Sequence, residues 1–113
     1  MRNLERKFDL KLENVESGNI SIRFYSKYNL KLSVLRIKAF YRPKNFDEYE
    51  VALVPVYLDN NASIKTFSFI NRNNSYTSLN FIIKDKTNKM QYAVQVPLNG
   101  EEVKYTRMIF EGV

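Results

Sequence analysis

LNFIIKDKTNKMQYAVQV, residues Leu79 to Val96, decides the fold. Leu79, Phe81 and Ile83 occupy every second position, as do Met90, Tyr92, Val94 and Val96 further on. Successive side chains leave an extended backbone on opposite sides, so this spacing gives a strand one oily face. Between the two runs lies Asp85-Lys86-Thr87-Asn88-Lys89, a polar tip of five residues. The stretch therefore predicts a β-hairpin.

The same period runs outward in both directions. Upstream, Ile64 to Ile70 is an aromatic strand with Phe67 and Phe69 on one side, followed by a polar loop from Asn71 to Ser75. Downstream, Pro97 to Glu101 breaks the pattern and Val103 to Phe110 forms a last strand. Near the start, Phe8, Leu10 and Leu12 alternate with Asp9, Lys11 and Glu13. After a turn at Glu16-Ser17-Gly18-Asn19, Ile20, Ile22 and Phe24 do the same. These two runs predict another hairpin, although Leu4, Phe8 and Leu12 also fit a helix over Asn3 to Asn14.

Leu30 to Arg42 changes phase within itself. Leu30, Leu32 and Val34 share one face, whereas Leu35, Ile37, Ala39 and Tyr41 share the other. A slip of one residue between Val34 and Leu35 is the signature of a β-bulge or of a bend between sheets. Seven or eight strands at such spacing predict an all-β chain, a single antiparallel β-sandwich of immunoglobulin-like type spanning residues 1–113. A small closed barrel is the alternative.

Composition removes most chemistry. The chain of 113 residues has no Cys and no His. Thiolate catalysis and disulfides are excluded, and the commonest general base and metal ligand are absent. The carboxylate pairs Asp47-Glu48 and Glu101-Glu102 sit in loops, where neighbouring acids are solvated charge. Asp59-Asn60-Asn61 lacks the spacing of a calcium loop and fits a turn. Gly18, Gly100 and Gly112 are too scattered to cradle a phosphate. The expectation is a chain that is not an enzyme and carries no cofactor or metal. Asn19, Asn61 and Asn73 begin N-x-Ser/Thr triplets, which matter only in a glycosylating cell.

The longest uncharged apolar run, Val51 to Leu58, has eight residues where a membrane-spanning helix needs about twenty. No signal peptide precedes it, so the expectation is no membrane insertion, and a cytoplasmic protein or a processed secreted form. The net charge of +6 favours anionic partners without specifying nucleic acid.

Two surfaces follow from these patterns. Val51 to Leu58 is apolar on both faces, and Pro55 donates no hydrogen bond to a ladder, which favours an edge. Either this strand bends at Pro55 and feeds both sheets, or it lies beneath the amino-terminal segment, or Val54, Pro55, Val56 and Leu58 form an apolar edge covered by a protein partner or by a homodimer. The second surface is the strand face Arg36, Lys38, Phe40 and Arg42, continued by Lys44, with Lys84, Lys86 and Lys89 at a hairpin tip. It is either a solvated outer face that steers a partner, or the basic and aromatic face of a small nucleic-acid-binding barrel using Arg36, Lys38, Phe40, Arg42 and Lys84. A barrel lined by the sixteen Tyr and Phe residues around an apolar ligand is a third reading.

Overall fold

The computed structural model describes residues 6–42, 47–54, 56–61 and 63–108. Within them are nine strands: β1 (Asp9–Glu13), β2 (Asn19–Tyr25), β3 (Leu32–Tyr41), β4 (Tyr49–Ala52), β5 (Val56–Asn60), β6 (Ile64–Ile70), β7 (Tyr76–Asp85), β8 (Met90–Pro97) and β9 (Lys104–Met108). They form two antiparallel sheets, β1-β2-β6-β5 and β4-β3-β7-β8-β9, packed face to face as a sandwich and not closed into a barrel.

The alternation in the sequence is what the sheets bury. Ile20, Ile22 and Phe24 of β2 and Phe67 and Phe69 of β6 face Ile37, Ala39, Leu79, Phe81, Ile83, Val94 and Val96 of the larger sheet. Phe81 joins the layers: its ring meets Phe24 edge-on at 4.9 Å and stacks on Phe67 at 5.9 Å. The aromatic residues in the middle of the sandwich pack against one another.

The Leu79–Val96 hairpin pairs as expected, with Asp85 already opposite Met90, so the tip is four residues and not five. Phe8 to Glu13 is extended and not helical: β1 pairs with β2 from Asp9↔Tyr25 to Glu13↔Ser21. Residues 3–5 of the helical alternative lie outside the described residues.

The phase change in β3 is a bulge. Val34 pairs with Ile83 and Arg36 with Ile82, leaving Leu35 without a counterpart and 53% exposed. Expelling that one residue returns Ile37 and Ala39 to the side already occupied by Leu32.

Val51 to Leu58 feeds both sheets, as one of the expected readings had it, and does so as two strands. β4 ends at Ala52 in the larger sheet and β5 begins at Val56 in the smaller. The amide of Leu53 still donates to the Ile37 carbonyl at 3.0 Å, so the crossing follows it. Proline at position 55 has no N–H to offer either ladder. This division accounts for the ninth strand. Pro55 itself, Lys44 and the end of the last expected strand at Ile109 and Phe110 lie outside the described residues.

Candidate functional site

β5 is an edge of the four-stranded sheet and, among the described residues, pairs only with β6. Phe67 and Phe69 point inward, so Ser68 and Ile70 point outward. Tyr57 lies opposite Phe67 and sets its ring edge-on to it at 5.2 Å, turning to the core. Val56, opposite Ser68, is thereby turned away from the core and is 61% exposed. A second bulge follows: Asp59 pairs with Thr66, leaving Leu58 without a counterpart and also 61% exposed. Thr66 at this bulge is buried, and its hydroxyl has no hydrogen-bond partner among the described residues.

Of the residues expected at an apolar edge, the structure brings Val56 and Leu58 together on β5 and sets Val54, 94% exposed, in the segment leading to it. It adds one that the sequence reading missed. Ile70 is 59% exposed and shares the outward phase of Ser68. Its signal was present, because placing Phe67 and Phe69 inward already sends Ile70 out.

The other three strand edges are guarded. β1 carries Asp9, Lys11 and Glu13 outward, with Lys11 and Glu13 3.6 Å apart. β4 carries Glu50, which accepts a hydrogen bond from Lys38 Nζ at 3.2 Å. β9 exposes Lys104 and Arg107. Charged side chains on an edge discourage another strand from docking there. On β5 the only charge is Asp59, beyond the bulge.

The basic strand face is assembled in part. Arg36, Lys38 and Phe40 do share the outer face of β3, because Ile37 and Ala39 between them are buried. Lys38 is paired with Glu50, however, and Arg42 lies 4.0 Å from Glu48, a carboxylate that also accepts from the Thr77 hydroxyl. Phe40 is half-buried. Lys84 lies opposite Ser33, at the far end of β3 from Arg42. The neutralising acids come from the β3–β4 connection and from β4, where Glu50 stands one residue before the apolar run Val51 to Leu58.

Asp59 and the phenols of Tyr92 and Tyr105 serve the fold. Asn61 closes the β5–β6 turn, its Oδ1 accepting from the amides of Ser63 at 3.0 Å and Ile64 at 2.8 Å, while its Nδ2 donates to Asp59. Burial pushes the phenols of Tyr92 and Tyr105 up, so both stay protonated at neutral pH. Comparison with protein-family models, curated proteins and solved structures finds no match.

Proposed function

We propose that the chain is a non-catalytic interaction module that binds through the apolar edge at β5, to a second copy of itself or to another protein. The supporting observation is the contrast between edges. The β1 and β9 edges carry several charges and β4 carries Glu50, whereas Val54, Val56 and Leu58 stand exposed along the fourth, with Ile70 exposed on the neighbouring strand. Contiguous exposed apolar side chains are the usual mark of a surface that is covered in use. Apolar contact by these side chains precedes the bulge at Leu58, which limits how far a docked strand extends the ladder.

The strand order supports an immunoglobulin-like reading of the sandwich. β1-β2-β6-β5 follows the A-B-E-D order and β3-β7-β8 the C-F-G order, with β4 and β9 added outside.

Light scattering after size exclusion tests the edge. Wild-type protein is expected to exceed its 13.4 kDa chain mass as concentration rises. Val56→Lys or Val54→Lys is expected to remain folded at the monomer mass, because enclosing an unpaired ammonium costs several kcal/mol. A wild type that stays at 13.4 kDa throughout, or variants that unfold, would contradict the reading.

A further inference from the structure

Antiparallel pairing sorts the connections to two ends of the sandwich. One end gathers the β2–β3 crossing, the β5–β6 turn and the tip of the β7–β8 hairpin. These three segments hold one another. Ser26 N donates to the Ser63 carbonyl at 3.2 Å, Lys86 N to the Lys31 carbonyl at 2.9 Å, and Lys31 N to the Thr87 hydroxyl at 2.8 Å. Asp85, fully buried, turns its carboxylate onto the tip. It accepts from the amides of Thr87 and Asn88 at 3.0 Å and from the Asn88 side chain at 2.8 Å. The end is therefore a formed surface whose nearest acid is already engaged.

Lys27, Lys31, Lys86 and Lys89 stand exposed on it. None of the four joins an ion pair among the described residues. Lys65 nearby is pushed below the usual lysine range by burial and then by the charge of Lys86, with Asp59 opposing. At the margin lies a cleft of about 270 Å³ lined by Tyr25, Tyr28, Lys7 and Lys27 among others. Tyr25 is 38% and Tyr28 50% exposed, and the Lys7 ammonium lies 5.1 Å from the Tyr28 ring. Arg6, also in the cleft, is taken up by Asp9 at 3.1 Å and by the Tyr105 ring at 3.5 Å.

We propose that this end of the sandwich binds single-stranded nucleic acid, with Lys27, Lys31, Lys86 and Lys89 on phosphates and Tyr25 and Tyr28 on bases. Ammonium groups alone suit any polyanion. Two exposed phenol rings beside them favour a ligand with free π-faces, which a single strand offers and a duplex or a lipid headgroup does not. The surface is separate from the β5 edge, and neither reading depends on the other.

Fluorescence anisotropy with a labelled oligothymidylate of about 12 nucleotides tests it. Wild-type protein is expected to bind, and to weaken roughly 50-fold between 50 and 200 mM salt if four phosphates are neutralised. Lys86→Glu combined with Lys89→Glu is expected to lower affinity and flatten that slope by about half. Tyr28→Ala is expected to bind about tenfold more weakly with the slope unchanged, as loss of one stacked base requires. Three results would overturn the proposal: no binding at 50 mM salt, equal competition by polyglutamate or anionic vesicles at matched charge, or an affinity indifferent to Tyr28→Ala.

Discussion

Gly18 has φ +85°, in the left-handed region, and a Cβ placed there would lie 3.1 Å from the carbonyl oxygen of Asn71. The contact is no accident of packing, because the Asn71 amide donates to the Gly18 carbonyl at 2.7 Å. Asn71 is itself buried, and its side chain closes the turn after β6, accepting from Tyr76 N at 2.8 Å and donating to Tyr76 O at 3.2 Å. The β1–β2 turn is thus pinned to the crossing between the two sheets. Gly100 has a similar φ, +92°, with nothing within 4 Å of its Cβ position. Both Gly18→Ala and Gly100→Ala carry a backbone cost of about 1–2 kcal/mol. Only Gly18→Ala also crowds a carbonyl, so its urea midpoint should fall further. Equal midpoints would mean that the Gly18–Asn71 contact contributes nothing. The turn at Gly18 is legible in the sequence; its partner, 53 positions on, is not, because local pattern carries no information about which loops meet.

Among the elements, β3 shows how far a sequence pattern reaches. The phase flip at Val34 and Leu35 is visible in the order of residues and is a bulge in the structure. Removing Leu35 leaves Val34 inward and Arg36 outward in unbroken alternation, so the deletion variant should fold and unfold cooperatively. Removing Ile37 instead turns Lys38 into the core and should abolish cooperative unfolding by circular dichroism. If the two deletions behaved alike, side-chain alternation would not be what sets this strand's register. β4 and β5 were less legible. Eight apolar residues in a row carry no period, so only Pro55 marked a division within Val51 to Leu58, and the end of β4 at Ala52 and the start of β5 at Val56 came from the structure. The apolar edge itself could be read from those residues, and the outward turn of Ile70 from the inward placing of Phe67 and Phe69.

Across the whole molecule, charge is sorted in a way the chain order hides. The lysine-rich end draws on residues 27, 31, 86 and 89, which only the antiparallel topology brings together. Glu16, Asp47, Glu48, Glu101 and Glu102 belong to connections at the other end. A formal charge of +6 is thus an uneven sum, and the basic strand face expected from Arg36 to Lys44 gives way to a basic end. Between the ends, the sandwich leaves one apolar margin, and the account of function stands on that margin being covered. Amide hydrogen exchange measured from dilute to concentrated protein tests this most directly. The account predicts that Val56, Tyr57 and Leu58 gain protection with concentration while β1, β4 and β9 do not. Unchanged exchange at β5, or protection arising at another edge, would contradict it.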